Sequence, residues 1–359
     1  MFDSPSPPGD TLGDLLDERA MTQAELADRT GLSRKTVNEI VRGKAPITPE
    51  TALALERVFG LPSAFWTTRE SQYRDALARQ AEIAAVPREW QAQFPVAAMV
   101  GAGFLDAPGR AVADRTRALM DFFGVASPAA FDRVWMNPAG AAAFRRSLAT
   151  ATKPHATAAW LRAGEIEAAR RQGVAPYSRD VLLAELDGFR ALTREAPETF
   201  ESRLIDGFAR AGVVFVLTPE VTGAPICGAT RWLTADRALV QVSLRYKTND
   251  HFWFTVFHEA GHVALHGKRD VFLEKCGGED DAVKEAEADR FAQDRLVPRA
   301  AWDAFVAAGW FGGVDVQTFA DAQGIAPGIV VGRLQREQHL TYRDLNHMKQ
   351  RFEWIRDES

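Results

Sequence analysis

Residues 251–267 read HFWFTVFHEAGHVALHG, and this stretch sets the architecture expected of the whole chain. Inside it, His258-Glu259-Ala260-Gly261-His262 is an H-E-x-x-H pattern on a predicted helix. Residues four apart share one helical face, so both imidazoles point the same way and can grip one cation. Glu259 projects beside them, placed to act on a water rather than to ligate. Trp253, Val256, Phe257, Ala260 and Ala264 form an apolar face that would bury the helix, and Asn249 or Asp250 can cap its start. The bland alternative is a core helix with two satisfied histidines.

A cation site needs a third ligand. His266, four residues beyond His262, is one candidate. The metzincin pattern H-E-x-x-H-x-x-G-x-x-H fails here, because its glycine position is Leu265 and its last histidine position is Lys268. The other source is a carboxylate from a second helix. Residues 281–296 read as one, with good helix formers, no Gly or Pro inside, and Pro298 after the end. Glu285 and Asp289 lie four apart on one face. Glu285 could complete a His, His, Glu set, with Glu287 as its rival. Asp289 could accept the second N–H of a ligand imidazole and fix its tautomer.

Together, H-E-x-x-H, then Glu285-Ala286-Glu287-Ala288-Asp289-Arg290-Phe291-Ala292, then Leu296-Val297-Pro298 resemble the ImmA/IrrE metallopeptidases. That family usually reads E-x-x-A-N-x-F-A followed by an L-M-P-like end. This chain has Asp289 where Asn is common and Val297 where Met is common, and neither change removes a ligand. The resemblance extends upstream through residues 226–232 and covers most of residues 170–345. It implies a zinc site (Zn2+) with Glu285 as third ligand, and an endopeptidase of the gluzincin type.

Residues 11–66 form a separate unit. Leu12, Leu15 and Leu16 mark a first helix, Thr22 caps a second from Gln23, and Ser33 caps a third over residues 34–42. Ala27, Gly31 and Val37 are small or apolar where two helices must cross closely. Thr48-Pro49-Glu50 starts a fourth helix. The unit resembles the Cro/repressor type of helix-turn-helix, and residues 21–48 look like HigA-type antitoxins. Gln23, Ser33, Arg34, Lys35 and Asn38 lie where side chains reach base edges in the major groove, and Arg42 and Lys44 where phosphate contacts are usual. Residues 33–44 hold four basic residues against Glu39, although residues 10–60 as a whole hold more acids than bases. Such modules pair on two half-sites, so a homodimer on a DNA operator is expected.

The rest of the chain bounds these readings. At 359 residues with 46% hydrophobic content it is long enough for two or three domains, and a net charge of −5 gives no global basic field. Two cysteines, Cys227 and Cys276, suggest a reducing compartment and no disulfide framework. The start is polar and Pro-rich without an apolar signal region, and no run of 18 apolar residues occurs. A cytoplasmic protein with no membrane partner is expected.

The expected fold class is α+β and predominantly helical. A helix-turn-helix bundle (11–66) follows a flexible tail (1–10). Then come a helical connector (67–95) and a helical support region (96–200) with helices at 113–123, 128–135, 141–151, 157–172 and 178–192. A zincin-like core (201–300) carries strands at 212–217, 227–233 and 238–244, and a helical unit (301–359) closes the chain. In the last, residues 316–334 echo a second helix-turn-helix and are read as a structural cap. A strand at the edge of the sheet could pair with an extended peptide. Tyr246, Arg245 and Tyr177 are positional candidates to steady an oxyanion, and Cys276 is read as a small core residue. The function expected is a DNA-bound regulator whose zinc peptidase cuts a repressor or antitoxin-like protein. The alternative is a HigA-like antitoxin or transcription factor whose peptidase-like domain only senses metal or ligand.

Overall fold

The computed structural model describes residues 6–109, 111–136, 153–266, 272–275 and 282–354. The chain divides into two compact units, residues 1–87 and 88–359. The fold is predominantly helical with one small sheet.

The first unit holds α1 (Pro8–Glu18), α2 (Gln23–Thr30), α3 (Arg34–Val41), α4 (Pro49–Phe59) and α5 (Ser63–Ala84). The caps are those the sequence announces. Thr22, Ser33 and Thr48 each accept a backbone N–H from Glu25, Thr36 and Thr51, satisfying donors the first turn leaves orphaned. Gly31 ends α2 at φ 72°, a left-handed conformation that turns the chain sharply into α3. Leu12, Leu16, Leu26, Val37, Ile40, Leu55 and Phe59 meet in one core with Trp66, which is fully buried. Helix α5 does not stop at that core. It continues through residues expected to be a connector, where buried Glu70 accepts from Arg74 at 2.6 Å.

The second unit opens with α6 (Arg88–Ala92), α7 (Val96–Gly101), α8 (Val112–Phe123) and α9 (Pro128–Phe131), the last running into a π-helical turn at Asp132–Met136. The helix expected at 141–151 lies outside the described residues. Helix α10 (Pro154–Arg170) starts with His155, stacked on Phe131 at 5.5 Å and edge-on to Phe94 at 4.8 Å. Burial pushes the His155 pKa below its usual value, with Asp132 acting in the opposite sense. The unfolded chain therefore takes up a proton near pH 6.5 that the folded chain resists. Stability is lost as pH falls below about 6.5. His155→Phe should flatten the acid limb of the melting temperature against pH, and unchanged limbs would contradict this account.

Helices α11 (Arg179–Leu192) and α12 (Pro197–Arg210) lead into β1 (Val213–Leu217), β2 (Ile226–Thr234) and β3 (Arg237–Val242). Next come α13 (Asn249–Leu265), β4 (Phe272–Lys275), α14 (Ala282–Leu296), α15 (Arg299–Ala308), α16 (Gly313–Gln323) and α17 (Pro327–Arg336). The sheet order is β1-β3-β2-β4, with β1 parallel to β3 and β2 antiparallel to both its neighbours. Three strands were expected, all before the metal helix. The fourth follows that helix and covers β2, so β2 is not an edge.

Helix α13 is apolar nearly all round and lies in the core. Only His251, Phe254 and Leu265 escape full burial. Helix α14 crosses it at Gly261, where a Cβ would come within 3.0 Å of Phe291. That close approach brings the acids of α14 onto the histidines. On another face, Gly328 and Gly332 of α17 leave room for Asn249 and Asp250. These two residues do not cap α13. Thr248 holds the cap position without a side-chain bond, the Asn249 side chain accepts from the Gln350 N–H at 3.1 Å, and Asp250 pairs with Lys349 at 2.6 Å. The carboxy-terminal segment has claimed the polar groups that local reasoning gave to the helix start. No helix among the described residues is long and apolar enough to cross a membrane.

Candidate metal centre

His258 and His262 are each 1% exposed, one turn apart on α13. Their Nε2 atoms lie 3.0 Å from one another. Glu285 of α14 faces both, with Oε2 at 3.1 Å from His258 Nε2 and Oε1 at 3.5 Å from His262 Nε2. The ligand atoms of these three residues all fall within 4.8 Å. Burial, helped by the neighbouring His258 and His266, pushes the His262 pKa down to about 4 against the pull of Glu285. Burial alone would raise Glu285, but the two imidazoles beside it, His258 and His262, outweigh it and bring the carboxyl down to about 2. A neutral imidazole beside an ionised carboxylate presents lone pairs to a common point.

Glu259 is fully buried, with its carboxylate turned onto β2. The Thr230 hydroxyl lies 2.5 Å from Glu259 Oε2. A Cβ on Gly228 would strike the same side chain, so that strand position admits only glycine without displacing the acid. Sequence reasoning missed both. The signal available was period-2 spacing: Ile226, Gly228 and Thr230 share one face of β2.

Asp289 lies where the sequence placed it, with Oδ1 2.9 Å from His258 Nδ1. Its other oxygen accepts from Arg336 of α17 at 2.5 Å, and that guanidinium also sits 4.5 Å from the centre of the Phe254 ring. Arg336 was not anticipated. His266 and Glu287, weighed as possible ligands, lie outside the three-residue cluster. His266 Nδ1 is 2.9 Å from His262 Nδ1, and its Nε2 is 3.1 Å from Glu287 Oε2.

A cavity of about 460 Å³ opens beside His258 and Glu285, walled by Phe254, Gln293, Tyr246 and Arg336 among others. Tyr246 stacks on His251 at 4.2 Å and lines it. Tyr177 does not: its hydroxyl donates to the Val263 carbonyl at 3.2 Å and its ring packs on Trp232. Cys227, also on the cavity wall, is disulfide-bonded. Cys276 lies outside the described residues.

In the first unit, Ser33, Arg34, Lys35, Arg42 and Lys44 are exposed on and just after α3. The Ser33 hydroxyl is occupied in capping, and Lys35 is 3.8 Å from Glu39. Asn38 is half-buried and donates to Gln23 Oε1 at 3.2 Å. The second helix-turn-helix echo is real in outline, since Gly324 at φ 69° joins α16 to α17. Its two cations are engaged within their own unit, however. Arg333 stacks on Trp302 at 4.2 Å and pairs with Glu337, while Arg336 serves Asp289.

Residues 12–66 match the helix-turn-helix family model, and residues 234–321 match the M78 peptidase model of the IrrE N-terminal-like domain. No curated protein matches the chain. Among solved structures, an addiction module antidote protein of a HigA family from Coxiella burnetii is 29% identical, over 22% of this chain and 87% of that one, with a TM-score of 0.21. A protein assigned as an antidote of a plasmid maintenance system from Nostoc punctiforme is 26% identical, with the same coverage and a TM-score of 0.22. The chain therefore joins a helix-turn-helix domain at its amino-terminal end to a peptidase-family domain of the IrrE-like type.

Proposed function

We propose that the chain is a DNA-binding transcriptional regulator that carries a zinc-dependent endopeptidase, and that the endopeptidase cuts a repressor or antitoxin-like protein. The observation that carries this reading is the convergence of His258 Nε2, His262 Nε2 and a Glu285 oxygen within 4.8 Å, in a site where Glu259 is the next residue on the helix. Two imidazoles and a carboxylate are a zinc donor set that leaves a position open. Zinc held there would supply Lewis acidity, acidifying a water and polarising a peptide carbonyl. Glu259 would take the proton of the attacking water and return it to the leaving amide nitrogen. Thr230 orients that carboxylate. Asp289 accepts from His258 Nδ1 and so leaves Nε2 its lone pair. Tyr246 is the cavity-lining candidate to donate to the oxyanion.

Metal measurement tests the centre. The purified chain should hold one zinc, and Glu285→Ala should lose affinity by more than the roughly 10–100-fold that an outer-shell partner carries. A wild-type chain that binds no zinc at neutral pH would end the reading.

Helix-turn-helix modules pair on two half-sites, and this supports a cytoplasmic homodimer on an operator as the form proposed. Arg34→Ala combined with Asn38→Ala should weaken binding to the chain's own promoter by at least about tenfold, given about 1–3 kcal/mol for each base contact. An unaltered gel shift would place the reading helix elsewhere.

A further inference from the structure

We propose that His266, with Glu287 behind it, is a positioning residue of the metal centre, fixing the tautomer and ring plane of His262. The inference rests on the zinc reading above. Glu287 accepts only, so the His266 Nε2 that faces it at 3.1 Å carries the hydrogen. With its hydrogen on Nε2, His266 turns the lone pair of Nδ1 to His262 Nδ1 at 2.9 Å, which is then the donor. That leaves His262 Nε2 bare, 3.0 Å from His258 Nε2 and turned toward Glu285. One exposed carboxylate thus sets the proton positions on two rings in succession.

The backbone supports the same arrangement. His266 is the residue at which α13 ends: its N–H still bonds to the His262 carbonyl at 3.1 Å, but φ −107° and ψ 163° turn the chain outward. Its side chain nevertheless stays 4% exposed, laid along the His262 ring with centroids 5.0 Å apart. The contact is through the Nδ1 edge of His262, away from the atom that faces Glu285. His266 consequently acts through His262. His258 has a shorter chain of the same logic, in which Asp289 accepts directly and Arg336 holds Asp289.

The test compares His266→Phe, His266→Asn and Glu287→Gln with wild type in the full-length chain. Zinc affinity is read by competition with a chromophoric chelator, and the metal-free melting temperature is recorded alongside. His266→Phe keeps a planar ring but offers no acceptor, and should weaken zinc about 10–100-fold. Asn places an amide oxygen near the old Nδ1, and His266→Asn should recover most of the loss. Glu287→Gln should fall between, with metal-free melting close to wild type in all three. Wild-type affinity in His266→Phe would overturn the proposal and leave the zinc reading standing. Equal weakening in the Phe and Asn variants would also overturn it, because packing or direct ligation would then explain the residue. A wild-type chain without zinc affinity would remove both.

Discussion

Glu259→Gln should leave zinc binding in place while peptide hydrolysis falls by about 10²–10⁴-fold, the usual contribution of a positioned general base. The substitution keeps shape. The amide oxygen can still accept from Thr230, and Gly228 still leaves it room. What disappears is a group able to take a proton. Wild type and variant would each be co-expressed with a candidate repressor or antitoxin-like protein, and the cut fragment measured. Cleavage of the chain's own segment at 67–95 would be followed in the same samples. Equal cutting by both would sink the enzyme reading. An antitoxin or transcription factor that uses a peptidase-like body to sense metal or ligand would then be the better description.

The second large effect is on stability. Lys349 Nζ lies 2.6 Å from Asp250 Oδ2, with side chains only 10% and 6% exposed. Lys349 also donates to Gln335 Oε1 at 2.7 Å. Lys349→Ala would strand a buried carboxylate packed against Gly332. Breaking such a pair from one side costs about 3–5 kcal/mol. Chemical denaturation of the full chain should show that loss. Adding Asp250→Asn should return much of it, since the uncompensated charge is then gone. A Lys349→Ala chain as stable as wild type would mean that water reaches the carboxylate.

How much of this could be read in advance depends on whether each feature is local. The imidazole pair, Glu285 and Asp289 were legible because each sits one helical turn from a partner on its own helix. The caps Thr22, Ser33 and Thr48 were legible for the same reason. Asn249 and Asp250 have capping chemistry too, but residues about a hundred positions away took their side chains. Arg336 meets the site through a separate element, so no spacing announces it, and the period-2 spacing along β2 puts Thr230 on a face without saying what that face meets. His266 was visible as one candidate for a ligand, since it lies four residues beyond His262, and only the ring orientation shows which of its nitrogens faces which neighbour. The fourth strand is short and follows the metal helix, where the pattern of the first three gives no reason to expect another.

That strand has a consequence for how a polypeptide would be captured. Because β4 covers β2, a guest chain joining the sheet on this side must line up along the outer rim of β4. β4 lies in the chain between α13, which brings the two imidazoles, and α14, which brings the acid. Handrail and cage are thus made from one continuous run of sequence.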